Sequence, residues 1–287
     1  MNKLLIIVLL AFCLNSFGQN NPTEKAKPIV EEGKRMYRSE MASWYGTDLF
    51  LESYKNRENI GGYFSYSEND TSRCIFFSKE EPVKVIGTIS FDSTYNVKSA
   101  IVDIEERDFK LIENDLFDIR NKTLILIQND TLFKVYQNTN LNLIPLIYNG
   151  KKKVYVLTGP TKSGVVIFGN DYLIEFNDEN EIVSKRQLHK NIIPIEYGNT
   201  VDSEEVVGTM HSHLPETGDF ITSTDICTLM LYGKFTGWKT HNVVSKKYLN
   251  IWNCETNTLT VIPMDTIDKI NKDQKKRQNK EKKSGSH

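Results

Sequence analysis

The sequence has little cysteine and almost no excess of charge. It contains four cysteines in 287 residues, and its formal net charge is −1. Cys74, Cys227 and Cys254 form an odd and widely spaced set beyond the first twenty residues, which is not typical of a dense disulfide framework. We expect buried free thiols, with a single disulfide as the alternative. The balanced charge gives no reason to expect nucleic acid as a partner.

Long apolar runs are also scarce, and the clearest one stands at the start of the chain. Lys3 precedes the apolar stretch 4–14, and small residues follow at Ser16 and Gly18. This layout predicts a secretory signal peptide over residues 1–19, because the run is shorter than the roughly 20 residues of a membrane span. We therefore expect an exported protein, periplasmic or secreted, with no membrane span after cleavage. An uncleaved anchor is the alternative.

Apolar residues are nearly absent from the other end of the chain. Residues 266–287 are rich in lysine and have almost no apolar side chain after Ile270. Such a segment cannot bury a core. It is expected to be a basic flexible tail, or a frayed helix.

The region 20–149 predicts an α+β domain of unknown role. Residues 20–28 resemble a linker, residues 29–45 have helical spacing, and Gly46 is expected to end that helix. From Gly61 onward, short apolar segments alternate with turn residues and predict strands. A helix is expected within Phe109–Ile119, and the remaining strands include Thr123–Ile127 and Leu141–Ile147.

A domain boundary is predicted at Asn149-Gly150, with a second domain over residues 150–265. Several predicted strands precede a strand at 205–210, and residues 225–232 have the apolar spacing of a helix. Further strands follow that helix. The fold class is therefore expected to be mixed α/β throughout.

His211 and His213 lie at the end of the predicted 205–210 strand, separated by Ser212. Side chains alternate along a strand, so both imidazoles are expected on one face. Asp225 follows at the start of the predicted helix. Two imidazoles and one carboxylate leave a fourth tetrahedral position open, which is the pattern of a catalytic zinc site. The sequence thus predicts that His211, His213 and Asp225 bind Zn²⁺.

The segments Glu205-Val206-Val207-Gly208-Thr209-Met210-His211-Ser212-His213 and Thr222-Ser223-Thr224-Asp225-Ile226 resemble the motif of JAB/MPN (JAMM) metallopeptidases. The resemblance covers about residues 150–265 and is strongest over 205–226. It implies a layered domain like that of cytidine deaminases, with a mixed sheet and helices. It also implies a zinc ion on the two histidines and Asp225.

The resemblance further implies an oxyanion-stabilising hydroxyl near Asp225 and a general-base glutamate on an earlier strand. Ser223 or Thr222 could supply the hydroxyl, because the loop before Asp225 is one residue longer than the usual spacing. The glutamate of the family usually lies just before a strand that ends in glycine. With that strand at 154–159 the position falls near Lys152 or Lys153, and with the strand at 164–169 it falls near Thr161, so neither register supplies a carboxylate. Glu175 and Glu216 are the leading substitutes. His189 and His241 are expected to be plain surface or strand histidines, with extra metal ligation as the alternative.

Two functions follow from this pattern. The first is an exported zinc-dependent hydrolase of peptide, isopeptide or related amide bonds, acting on a peptide or protein substrate or on a cell-wall amide. The second is a non-catalytic JAB/MPN-like module that binds metal or recognises a partner and lacks the general-base glutamate. The sequence does not indicate the oligomeric state.

Overall fold

The computed structural model describes residues 21–198 and 206–284. The predicted leader at residues 1–19 lies outside this part of the chain. The described residues combine α-helices with antiparallel and mixed sheets, which confirms the predicted mixed α/β class. The layering expected of a JAB/MPN-like domain stays a prediction. Within the described residues, no helix is sufficiently long and apolar to span a membrane.

The described chain divides into two compact units, which we call the large unit and the small unit. The large unit comprises residues 32–198 and 223–232, and the small unit comprises 21–31, 206–222 and 233–284. The domain limits predicted from the sequence stay a prediction. At the predicted boundary, Asn149 and Gly150 have positive φ values of 49° and 71° and form the turn of a hairpin.

Helix α1 spans Pro22–Ser53, so the expected linker is helical from Pro22 and the predicted end at Gly46 is wrong. Gly46 serves a packing role instead. A Cβ at this position would lie 2.7 Å from the Cβ of Cys74, which is too close for two non-bonded carbon atoms. The missing side chain therefore lets the helix lie against the strand that carries Cys74.

Helix α2 spans Leu111–Asn129, which confirms the helix predicted within Phe109–Ile119. The strand predicted at Thr123–Ile127 is wrong, because the helix continues through it. Its β-branched residues favour a strand, but buried Leu116, Ile119 and Thr123 repeat at helical spacing and face the core. The Thr123 hydroxyl donates to the Ile119 carbonyl at 2.8 Å, so it is satisfied within the helix.

The large unit contains two four-stranded antiparallel sheets and a separate strand pair. The first sheet has the order β1 (Ile60–Glu68), β2 (Thr71–Ser78), β3 (Val85–Phe91) and β4 (Ile101–Asp103). The second has the order β5 (Thr139–Tyr148), β6 (Lys151–Pro160), β8 (Tyr172–Phe176) and β9 (Ile182–Gln187). Strand β7 (Val165–Gly169) pairs with β10 (Ile192–Glu196).

Alternation along β2 distributes side chains between two apolar cores of the large unit. Cys74 and Phe76 pack in the core that contains Phe50 of α1, whereas Ile75 packs in the core that contains Leu116 of α2. Strand β2 thus buries both of its faces, which explains its continuous apolar run Cys74–Phe77. As expected, Cys74 and Cys227 are buried free thiols, whereas Cys254 is free but only half-buried.

The small unit is built on a mixed sheet in the order β11 (Gly208–Ser212), β12 (Thr240–Val244), β13 (Tyr248–Asn253) and β14 (Thr258–Pro263). Strand β11 pairs in parallel with β12, and the other neighbours pair antiparallel. Helix α3 (Ser223–Thr236) precedes β12 in the chain. Helix α4 (Met264–Ser284) contains residues 266–284 of the predicted basic tail.

Candidate metal centre

Strand β11 places the two histidines of the motif on one face, as their spacing predicts. His211 and His213 are buried, whereas the intervening Ser212 is exposed and Met210 is 61% exposed. The backbone N–H of His213 donates to the carbonyl of Val244 at 2.8 Å, so β12 holds the end of the strand in place. The two imidazoles therefore project from a fixed backbone.

The ring nitrogens of these two histidines face each other at a short distance. His211 Nε2 lies 3.1 Å from His213 Nε2. Zinc–nitrogen bonds of about 2.0–2.1 Å in a tetrahedral site separate two ligand nitrogens by about 3.3 Å. The observed separation is close to that value, so this buried pair could hold a metal ion with little rearrangement.

His241 backs His211 from the neighbouring strand. His211 Nδ1 lies 2.9 Å from His241 Nε2, and His241 Nδ1 lies 2.8 Å from the hydroxyl of Thr209. His241 lies fully buried on β12, so the strand alternative of its expectation is confirmed and the surface alternative is wrong. If His211 binds metal through Nε2, its proton resides on Nδ1 and can be donated to His241. Orienting partners of this kind fix the tautomer of ligating histidines.

A second buried group of ligand-type side chains lies within the large unit. Asp225 begins the buried face of α3, and its Oδ1 lies 3.7 Å from His189 Nε2. His189 Nδ1 lies 3.3 Å from Asp171 Oδ2, and Asp171 Oδ1 accepts a hydrogen bond from the backbone N–H of Thr158 at 3.0 Å. The chain Asp171–His189–Asp225 is almost completely buried. His189 is buried in the connection between β9 and β10, so the expectation of a surface or strand histidine is wrong for this residue.

The pKa values of this second group depend on burial and on its charged neighbours. Burial raises the pKa of Asp171, although the hydrogen bond from His189 acts in the opposite direction. Burial also lowers the pKa of His189, but Asp225 and Asp171 outweigh it and raise that pKa to about 10. His189 is therefore protonated at neutral pH without a metal ion. In this unit, His189 and Asp225 carry ligand atoms of the kind that could hold a metal ion.

The hydroxyl candidates lie at the start of α3. Ser223 is the first residue of the helix and hydrogen-bonds the hydroxyl of Tyr155, while half-buried Thr222 directly precedes it. The Tyr155 hydroxyl also donates to Glu32 Oε1 at 2.7 Å, and Lys153 Nζ lies 2.6 Å from the same oxygen. Burial would raise the pKa of Glu32, but these two hydrogen bonds lower it below its usual value.

The two candidate carboxylates have different surroundings. Glu175 lies on β8, where its Oε2 accepts a hydrogen bond from the Ser184 hydroxyl at 2.7 Å. Glu216 is exposed in the turn after His213, which is closed by a backbone hydrogen bond from Thr217 to Leu214 at 3.0 Å. Glu216 therefore stays close to His213 by chain connectivity, whereas Glu175 is held by the neighbouring strand.

Sequence reasoning identified His211 and His213 but missed the residues that orient histidines. His241 pairs with Thr209 across the parallel strands, and Asp171 follows a turn at Asn170, which has a φ of 54°. Neither residue carries a spacing signal relative to the histidine it supports. Comparisons of the chain with family models, with curated proteins and with solved structures found no significant match.

Proposed function

We propose that this chain is an exported zinc-dependent hydrolase of peptide, isopeptide or related amide bonds, of the kind that JAB/MPN metallopeptidases represent. The observation that carries the proposal is the 3.1 Å separation of His211 Nε2 and His213 Nε2. Both rings are buried on one strand face, and His241 supports the first of them. Two convergent and oriented imidazoles are a natural pair of zinc ligands.

In this proposal His211, His213 and Asp225 hold the zinc ion. Asp225 adds a carboxylate oxygen, and His189 lies beside that carboxylate as a further possible donor. A bound zinc ion would supply chemistry by lowering the pKa of a coordinated water molecule to about 7. The chain's own contribution is to bury the ligands and to fix their orientation through His241 and Asp171.

The remaining roles fall to hydroxyl and carboxylate groups. Ser223 or Thr222 is proposed to donate a hydrogen bond to the oxygen of the bond under attack. Because the Tyr155 hydroxyl donates to Glu32, Ser223 is the donor to Tyr155 and would have to leave that partner to serve in this role. Glu216 and Glu175 are the candidates for moving protons. We favour Glu216, because its turn begins directly after His213 and its side chain is exposed.

A non-catalytic module that binds metal or recognises a partner is the second candidate function. One specific observation favours it. Glu175, a proposed proton carrier, hydrogen-bonds Ser184 at 2.7 Å and is therefore already engaged. General acid–base help usually contributes about 10²–10⁴-fold to rate. If neither candidate glutamate acts, the metal site would serve binding rather than hydrolysis.

The first experiment measures metal. The purified chain, stripped with a chelator and reloaded with one equivalent of zinc, should retain about one zinc ion per chain after gel filtration. A preparation that retains none would contradict the hydrolase and the metal-binding form of the second candidate. The Asp225→Asn substitution should lower the zinc retained, and Asp268→Asn, on exposed α4, is its matched control.

The second experiment separates the two functions. The zinc-loaded chain is incubated with a fluorogenic peptide library and with a lysine-ε-linked isopeptide, and product formation is followed. Hydrolysis that is lost in Glu216→Gln, with zinc still bound, supports the enzyme. Loss in Glu175→Gln alone would transfer the role to that residue. Absence of hydrolysis with full zinc occupancy supports the non-catalytic module.

A further inference from the structure

The large unit contains a cleft that uses none of the residues of the metal proposal. Its volume is about 460 Å³, which is within the range of small-molecule sites. Helices α1 and α2 and strands β1 and β5 supply its walls. Its polar and aromatic lining includes Glu40, Trp44, Asp48, Tyr63, Arg120 and Asn142.

One face of α1 concentrates the chemistry of this cleft. Glu40, Trp44 and Asp48 recur at intervals of four residues, so they lie one above another along the helix. Ser43 and Thr47 lie on the same face between them. A helix face that only packs against a core would carry apolar side chains at these positions. The polar side chains indicate that this helix face contacts solvent or a ligand rather than the apolar core.

Two opposite charges enter the cleft from different elements. Burial alone raises the pKa of Glu40 to about 7, and no cation in the described chain lowers it. Burial lowers the pKa of Arg120, which α2 contributes, and nearby Tyr63 opposes that change. Glu40 and Arg120 do not offset each other. Arg120 has a cation–π contact, with its Cζ 5.7 Å from the centre of the Phe77 ring, but among the described residues neither charge has an ionic partner. Partly desolvated charges are costly without such partners, so both sides of the cleft favour a ligand that carries the complementary charge.

Two large aromatic side chains are unusually exposed within the same cleft. Trp44 is 45% exposed and Tyr63 is 39% exposed. The pKa of Tyr63 is raised by burial and by Glu40, and lowered by Arg120, so Tyr63 lies within electrostatic reach of both charges. The aromatic surface is therefore positioned to contact the middle of a ligand whose ends carry opposite charges.

We propose that this cleft binds a zwitterionic ligand of about dipeptide size. Arg120 receives the carboxylate end, because its guanidinium group matches carboxylate geometry. Glu40 receives the ammonium end. Trp44 and Tyr63 contact an apolar side chain between the ends. A dipeptide of two residues spans roughly 7 Å between its termini, which suits charges that do not pair with each other.

The proposal is tested by calorimetric titration of the full chain with L-alanyl-L-leucine at pH 7.5, after metal has been removed with a chelator. Binding is expected, and it should weaken by about tenfold or more for the N-acetylated and the C-amidated dipeptide, since each lacks one charge. Titration of the metal-free chain keeps this test independent of the proposed hydrolase, because failure of the zinc site leaves the cleft intact.

Variants locate the binding. Glu40→Gln should impair dipeptide binding while leaving binding of the N-acetylated form unchanged, and Arg120→Gln should do the converse with the C-amidated form. Glu52→Gln, an exposed acid on the same helix, is the matched control and should bind as the parent chain does. Circular dichroism verifies that each variant folds. No measurable binding, equal binding of all three ligands, or parent-like binding by Glu40→Gln would overturn the proposal.

Discussion

The histidine group of the small unit, formed by Thr209, His211, His213 and His241, contrasts with the Glu40 cleft of the large unit. In the histidine group, short contacts join each polar side chain to the next. In the cleft, Glu40 and Arg120 border open space and do not neutralise each other. The first arrangement converges on a point, as a metal ion requires. The second is spread over a volume, as a small molecule requires.

The contrast also explains what the sequence could reveal. Two histidines separated by one residue face the same way on any strand, so local geometry alone predicts their convergence. The cleft gathers side chains from four elements that are distant in sequence. The sequence shows only the four-residue spacing of Glu40, Trp44 and Asp48 along α1. That spacing does not identify Arg120 or Tyr63 as their neighbours.

The largest expected effect follows from removing a proposed ligand. His211→Ala or His213→Ala should weaken zinc binding by more than the 10–100-fold that is usual for loss of an orienting residue. Dipeptide binding in the cleft should be unchanged, because the two sites share no residue. Competition with a chromophoric chelator measures the first property, and calorimetry the second. Parent-like zinc affinity in both variants would remove the basis of the metal site.

Loss of an orienting histidine should have a smaller effect. His241→Phe keeps an aromatic ring in a fully buried position but removes the partner of His211 Nδ1. Zinc affinity should fall by about 10–100-fold. His241→Gln retains an acceptor oxygen and should recover part of the loss. If His241→Phe and His241→Gln bind zinc with equal affinity, packing at this position, rather than the orientation of His211, determines the zinc affinity.

The raised pKa of Glu40 in the cleft predicts that the stability of the chain depends on pH. The pKa of Glu40 is raised to about 7 in the folded chain, against 4.5 as the ordinary value. The native state therefore binds a proton that the unfolded state has released, and stability is lost as pH rises from about 4.5 to about 7. Glu40→Gln should match the parent at pH 4 and exceed its unfolding free energy by roughly 2 kcal/mol at pH 8. Chemical denaturation at both pH values measures this difference.

The control for this prediction is Glu52→Gln on the same helix. Its difference from the parent should be the same at pH 4 and pH 8, because Glu52 is exposed. If the difference in unfolding free energy between Glu40→Gln and the parent is also the same at pH 4 and pH 8, Glu40 ionises at little cost in the folded chain. The cleft would then lack the uncompensated charge that distinguishes it from the histidine group.

The smallest effect is expected at the far end of the histidine chain. Thr209→Val removes the hydroxyl that lies 2.8 Å from His241 Nδ1 and keeps a similar shape. One neutral hydrogen bond contributes about 1 kcal/mol, and here it acts through two further rings, so zinc affinity should fall by about two- to threefold. A loss as large as that of His241→Phe would show that the hydroxyl, rather than the ring, determines the tautomer.

Local pattern predicted the elements well where burial and periodicity agreed. The mixed α/β class and the helix within Phe109–Ile119 are confirmed. Thr123–Ile127 was misassigned because β-branched composition competed with helical spacing, and packing favoured the helix. Gly46 was misread as a helix end because close approach to Cys74 cannot be seen from local sequence.

The site was predictable only where its residues are neighbours in the chain. Asp171, His189 and Asp225 come from three separate segments, and the parallel pairing of β11 with β12 is what brings His241 beside Thr209. Buried polar side chains of this kind depend on tertiary structure for their partners. Sequence spacing therefore predicted the ligand types, but not the residues that orient them.

X-ray absorption spectroscopy of the zinc-loaded chain tests the central claim most directly. The account predicts a nitrogen and oxygen shell at about 2.0–2.1 Å with the outer-shell pattern of at least two imidazoles. In the His211→Ala and His213→Ala double variant, that imidazole pattern should be lost. A sulfur shell at about 2.3 Å, or an imidazole signal that persists in the double variant, would contradict the assignment of these two histidines.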